Sequence, residues 1–344
     1  MKHLRKYFSL VLLVLFISGC SAAPNTYTGI SYFYDITPND DAVVFTYFEK
    51  NKGTIYEYDM KKETTRKIKE EKDLSLTSIT LSNNGEKIFA LAQSKNQAAP
   101  KMVYEIDRKT GSSKKIYETN GKDAFITGIT QSKDEENVYV MQSSSYEEKE
   151  PIKGKLPHGF DIYKVSLANN SSEKITNMNA YIAENISYDP STDSLLFSSY
   201  NETIDENATK SENDKEATAI YSSKIYSYSL ATNEMKQVHM DVNEKSATKD
   251  LYTPDVSNNG KYIAFTGATK IKEDNSLEYE VFLKDLQSGE ISIPTKTKEA
   301  YGPVFFNKSD KIFFSDRETK DEKASYHIYD IKTKKTKKVT ITIK

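Results

Sequence analysis

SNNGEKIFA (Ser82–Ala90) and SNNGKYIAF (Ser257–Phe265) are near-copies of one another, set 175 positions apart in a chain of 344 residues. Repetition of this kind bears on architecture before composition does. Aligned on these two, the chain yields four more copies: TPNDDAVVF from Thr37, SKDEENVYV from Ser132, DPSTDSLLF from Asp189 and NKSDKIFFS from Asn307. In each, a turn of Pro, Asn, Asp, Gly or Ser runs into an apolar segment. The sixth position after the start is Val43, Ile88, Val138, Leu195, Ile263 or Phe313, apolar every time. The starts lie 45, 50, 57, 68 and 50 residues apart, a length that suits one small sheet plus its loops.

A second element follows each copy: IYEYD from Ile55, VYEID from Val103, IYKVS from Ile162, IYSYS from Ile225, VFLKD from Val281 and YHIYD from Tyr326. Its alternation of Tyr and Ile with polar residues is a strand signature. Polar turns such as KTGSS (Lys109–Ser113) lead to a third strand (TRKIKE, SKKIYE, MKQVHM, TKKVTITI), and a fourth, such as LTSITL or AYGPVFF, precedes each start. The expected fold is therefore all-β, a six-bladed β-propeller of four-stranded antiparallel blades over residues 30–344, its ring disposing of the exposed sheet edges. No stretch shows a sustained 3.6-residue apolar period, which excludes helical solenoids. A two-sheet sandwich is the structural rival.

The Ser82-Asn83-Asn84-Gly85 and Ser257-Asn258-Asn259-Gly260 turns, the IYxxD strand and the TG or SG turn after it together resemble the TolB-like propeller repeat, over nearly all of the chain from Ile30. Leu81, Gln131 and Val256 stand where that repeat commonly has Trp, and this chain has no Trp. The resemblance implies the six-bladed fold and an envelope-protein partner; some members of the wider group are lyases.

The chain opens MKHLRKYFSLVLLVLFISGC. Lys2, Arg5 and Lys6 precede an apolar run, Tyr7–Ile17, that is short of the roughly 20 residues a membrane-spanning helix needs. This is the pattern of an export signal over 1–19. Ile17-Ser18-Gly19-Cys20 resembles the bacterial lipobox, which makes Cys20, the one cysteine of the chain, the lipidation site. A diacylglycerol there anchors the protein by two acyl chains, with 20–29 as a lipidated tether on the outer face of the cytoplasmic membrane, or the inner face of an outer membrane in a two-membrane envelope. With one cysteine no intramolecular disulfide is available. Removing Lys2, Arg5 and Lys6 from the 48 basic residues leaves 45 against 50 acidic, which excludes a nucleic-acid footprint.

In a blade of strands A to D, the A–B and C–D turns lie on one face and the B–C and D–A connections on the other. Here the former are short, while the B–C spans 93–101, 142–160, 199–223 and 267–280 are long, and recognition is usually built on such loops. The ligand-binding candidates on that face are Tyr47, Phe48, Phe125, His158, Phe160, Tyr181, Tyr200, Tyr252 and Tyr301, because aromatic side chains anchor interfaces. Glu184, Asn185, Asp250 and Asp255 form a weaker candidate set for a divalent cation at the channel mouth. His158, His239 and His327 fall in different blades, and no GxSxG, CxxC or HExxH is present. The expected protein is a monomeric, non-enzymatic binding module for an envelope protein, peptide or glycan, with no cofactor. The alternative is a metal-dependent enzyme of lactonase or polysaccharide-lyase type at the channel mouth.

Overall fold

A computed structural model describes residues 27–94, 99–120, 124–144, 159–200, 223–242, 245–247, 250–273, 276–317 and 324–343. They form 24 strands, numbered β1 to β24 in chain order, in six four-stranded antiparallel sheets of four consecutive strands each. The sheets span Gly29–Lys69, Leu74–Glu118, Ile126–Lys174, Ile182–Gln237, Leu251–Ser292 and Ala300–Val339. The inner strands are β1 (Gly29–Ile36), β5 (Leu74–Leu81), β9 (Ile126–Gln131), β13 (Ile182–Asp189), β17 (Leu251–Val256) and β21 (Ala300–Phe305). Each packs against the next, and β21 packs back against β1. The ring closes at six blades, and the sandwich is excluded.

The repeated SNNG turn has a double duty. Within the turn, Ser82 Oγ donates to Asn84 Oδ1 (2.8 Å) and accepts from Lys87 N (2.9 Å), and Ser257 repeats this with Asn259 and Tyr262 (2.8 and 2.9 Å). Gly85 and Gly260 hold φ of +72° and +65°, where a side chain is disfavoured. Between blades, the second residue reaches outward: Asn83 Nδ2 donates to Ser132 O (2.9 Å), and Asn258 Nδ2 bonds Asn307 of the following blade. The Asp that ends the IYxxD strand caps the C–D turn. Asp59, Asp107, Asp285 and Asp330 each accept a backbone N–H from a residue two or three further on. These bonds favour the ionised form and lower all four carboxyl pKa values.

Blade six corrects the sequence alignment by one residue. Phe306, not Asn307, makes the turn-opening bond to a residue five ahead (Phe306 N to Lys311 O, 3.0 Å), as Ser82 and Ser257 do. Ile312 is thus the true counterpart of Ile88. The alignment slipped because Ile312 and Phe313 are both apolar and both fully buried.

There is no single core. Among the described residues an apolar cluster fills each of the six interfaces between neighbouring blades, and a seventh, of Tyr252, Ala268, Tyr279 and Tyr301, joins blades five and six nearer the axis. Approach between blades is tight where blade one meets blade two. The backbone N–H of Gly53, in β3 (Lys52–Asp59), donates to Ser75 Oγ (2.8 Å), and a Cβ at Gly53 would stand 1.9 Å from the Leu76 carbonyl oxygen. Gly53→Ala therefore forces these two backbones apart, and we expect a loss of about 1–3 kcal/mol in urea unfolding. An unchanged midpoint would contradict this packing.

The last blade supplies all four of its own strands, so no strand of blade one completes it. Side chains close the seam. Tyr34, Phe45, Tyr58, Phe306, Phe313 and Tyr326 form its cluster. Tyr34 Oη lies 2.5 Å from Gly302 O, and Asp40 accepts the Asn307 N–H at 2.7 Å.

Candidate functional site at the channel mouth

The strand limits give A–B and C–D connections of four or five residues in every blade. The B–C connections run from two residues (50–51) and five (272–276) to 95–101, 143–160 and 201–223; the expected long span 267–280 is corrected, because β18 (Tyr262–Ile271) and β19 (Leu277–Asp285) run on and pair through most of it. The asymmetry between the two faces thus follows from the strand boundaries. Tyr27, the first described residue, donates its N–H to Asn51 Oδ1 at 2.7 Å, so the chain enters the ring from the loop-rich face.

All six inner strands carry a register break. It lies between Ile30 and Tyr34, Leu76 and Ile79, Glu184 and Ser187, Tyr252 and Asp255, and Tyr301 and Val304, and in blade three opposite Met141 and Gln142. A bulge re-aims the side chains on either side of it. Asn185, Thr253 and Gly302 hold positive φ there. The six bulges surround a central cavity of about 410 Å³, lined by residues of every inner strand and reaching Gln93, Phe125, Leu277 and Glu299 at the loop-rich rim. The cavity therefore opens on the face with the long connections.

Its rim is aromatic on one side. Tyr279 and Tyr301 have ring centroids 4.9 Å apart, Tyr32 and Tyr301 5.4 Å, and Tyr252 and Tyr279 6.3 Å. On another side Lys101 Nζ lies 5.1 Å from the Phe125 ring centroid. The wall is acidic. Glu184 and Asp255 line it, and burial pushes each carboxyl pKa up to about 7. Asp255 accepts the Phe305 N–H at 2.7 Å, a bond from blade five to blade six. Asp35 makes the same link from blade one to blade two, accepting Leu81 N at 2.8 Å. Burial raises its pKa to about 6, with the N–H donors of Leu81 and Ile36 and the Thr80 hydroxyl acting against the rise. The Glu184 carboxyl has no hydrogen-bond or ion-pair partner among the described residues.

Of the aromatic candidates, Phe125, Tyr252 and Tyr301 line the cavity. Tyr47 packs on Tyr56 at 6.1 Å beside the seam cluster. Phe48 is 3% exposed and meets Tyr27 edge-on at 5.7 Å. Phe160 is fully buried between blades three and four, bridged to Ala180. The expectation of Phe160 as a surface contact is corrected: its ring packs in the interface between blades three and four, just ahead of β11 (Asp161–Ser166). Tyr181 is partly exposed in the connection leading into β13. His158 lies outside the described residues, as do Cys20 and the side chain of Tyr200. Of the four cation candidates, Glu184, Asn185 and Asp255 line the cavity together, whereas Asp250 does not; it is buried and accepts the Ser223 N–H at 2.9 Å. Among the described residues no three His, Cys, Asp or Glu side chains converge to hold a metal ion. Sequence reasoning missed Tyr32, Tyr279 and the bulges themselves. Pro254 and Gly302-Pro303, inside inner strands, were the available signal, because Pro within a central strand marks a bulge.

No family model and no curated protein sequence matches this chain. Solved structures do. TolB from Acinetobacter baumannii aligns with TM-score 0.60 at 18% identity, covering 94% of this chain and 66% of that one. The two share the propeller fold. This chain thus spans about two thirds of that TolB. An oligogalacturonate lyase in complex with manganese aligns with TM-score 0.58 at 11% identity, over 92% of this chain and 78% of that one. The β-propeller domain of the Trilobed protease from Pyrococcus furiosus, described as having an open velcro topology, aligns with TM-score 0.54 at 14% identity, over 90% and 83%. In all, 1084 solved chains match, so the fold alone selects no activity.

Proposed function

We propose that this protein is an exported, lipid-anchored binding module whose channel mouth receives part of an envelope protein, peptide or glycan, and that the site does no chemistry on it. One observation carries the reading: a cavity with a tyrosine rim opens on the face where the long connections gather. Tyr supplies flat, rigid contact area with a polar tip, the chemistry of recognition surfaces. The basic and apolar N-terminal stretch ending at Cys20 supports export and lipidation, and the position of Tyr27 beside Asn51 supports a tether on the loop-rich side. The likeness to a TolB supports a binding role. The likeness to a manganese-bound lyase supports the enzymatic alternative, but the wall presents acidic side chains to a substrate that is itself a polyanion.

Photocrosslinking in intact cells tests the proposal. A benzophenone amino acid placed at Phe125 or Tyr301 is expected to give a discrete adduct. The same group at Thr110 or Thr333, on the short-turn face, is expected to give none. Equal adducts from both faces, or metal-dependent cleavage of a sugar chain by the purified protein, would overturn it.

A further inference from the structure

Beyond the partner's general class, the lining specifies a charge. Among the described residues that line the cavity, Glu184, Asp255 and Glu299 are acidic and not one is Lys, Arg or His. Glu299 is matched by Lys272 at 3.5 Å. Glu184, at the register position that Tyr252 and Tyr301 hold in the next two blades, and Asp255, three residues beyond Tyr252 along β17, have no such counter-charge, and Asp255 also feels the negative field of Asp35 and Asp189. Ser187 Oγ, buried on the same wall as Glu184, has no hydrogen-bond partner among the described residues. Beside Glu184 on the same rim stand the four tyrosines, whose ring faces attract cations. A desolvated carboxyl without a donor, an unused hydroxyl acceptor and an aromatic rim are each satisfied by the same kind of group.

We propose that the channel mouth takes a basic side chain of the bound partner, a guanidinium or ammonium that lies against the Tyr32–Tyr301–Tyr279–Tyr252 rim and is held by Glu184, with Asp255 adding to the negative field of the wall. The proposal rests on the binding reading above and names what that site selects. The alkyl stem of Arg or Lys would lie along Ile186, which lines the wall beside Glu184, leaving the charged head at the carboxylate. Capture draws both carboxyls into the ionised form, so it releases protons where they are otherwise partly protonated, between about pH 6 and 8. The charged groups facing them are Asp35, Asp189 and, at the rim, the Lys272–Glu299 pair; Lys101 lies over Phe125.

The test is a ligand-observed NMR titration with Nα-acetyl-arginine methylamide against its neutral isostere, Nα-acetyl-citrulline methylamide. We expect the arginine compound to bind about tenfold more tightly or better, and about tenfold more tightly at pH 8 than at pH 6. Glu184→Gln is expected to remove most of the preference, and Glu184→Gln with Asp255→Asn to remove the pH dependence. Glu278→Gln, which alters a carboxylate paired with Lys298 outside the cavity lining, is expected to keep both. Equal binding of the two compounds, binding of neither, or displacement of the arginine compound by stoichiometric manganese or calcium would overturn the proposal. A face-specific crosslink obtained alongside any of these results would leave the binding reading standing, so the two fail separately.

Discussion

Phe313→Ala is expected to lower the stability of the ring by about 3–5 kcal/mol, the range for removing a buried aromatic side chain. Phe313 is fully buried at the seam between the last blade and the first. Its ring stacks on Tyr326 at 5.0 Å between centroids and meets Tyr34 edge-on at 4.9 Å, so the cavity left behind would strip two further aromatics of a partner. The site matters because of what is missing around it. Every other pair of neighbouring blades is joined by a stretch of chain, whereas this pair is held by side chains and a few hydrogen bonds alone, such as those of Tyr34 and Asp40. Urea unfolding gives the magnitude. Amide exchange gives the location, with protection falling first in β1 and β21. A loss under about 1 kcal/mol, or exchange spread evenly over all six blades, would show that the seam is not held by this cluster.

The second large effect is a dependence of stability on pH that runs against the usual acid denaturation. Glu184 and Asp255 have folded pKa values near 7, and Asp35 one near 6, each raised chiefly by burial. When the folded pKa lies above the unfolded one, the folded state holds more protons in the interval between them. The stability this contributes is complete below about pH 4 and is lost as pH rises through 6 and 7. A tenfold gain in proton affinity on folding corresponds to about 1.4 kcal/mol, and water in an open channel discounts it, leaving about 1–3 kcal/mol for each of Glu184 and Asp255. The carboxyls of Asp59, Asp107, Asp285 and Asp330 are held below the usual range and act below about pH 4, outside the window. We therefore expect the protein to be less stable at pH 8 than at pH 5. Glu184→Gln and Asp255→Asn should each raise stability at pH 8 and change it little at pH 5. The Asn side chain keeps an acceptor for the Phe305 N–H. Chemical denaturation at the two pH values measures this; a variant less stable than the parent at pH 8 would refute it. The substitutions that weaken cation capture are thus the ones that strengthen the fold, which separates loss of binding from loss of structure.

The architecture was legible because six turns repeat with a buried apolar residue at a constant offset, and that offset is set by strand pairing. Val43, Ile88, Val138 and Leu195 are all fully buried. The site was legible only in part. Alternation with period two separates the faces of a strand, but in a ring of radiating sheets both faces pack against a neighbouring blade, and channel-facing residues come from the bulges and from strand ends at the rim. That is why Tyr279, in a third strand, escaped notice although it stands beside Tyr301. It is also why Phe160 read as a loop aromatic: the sequence shows where the long 143–160 connection lies, not that its last residue turns inward.

Each sheet is one uninterrupted stretch of chain, and this has a topological consequence. The passage from Val339 at the outside of the last sheet to Gly29 at the centre of the first is the same outward-to-inward step that 70–73, 119–125 and 293–299 make elsewhere. The disc accordingly has no obligatory starting point. A chain opened at 70–73 and rejoined across the seam would trace the same six sheets in rotated order, with the seam turned into a covalent junction.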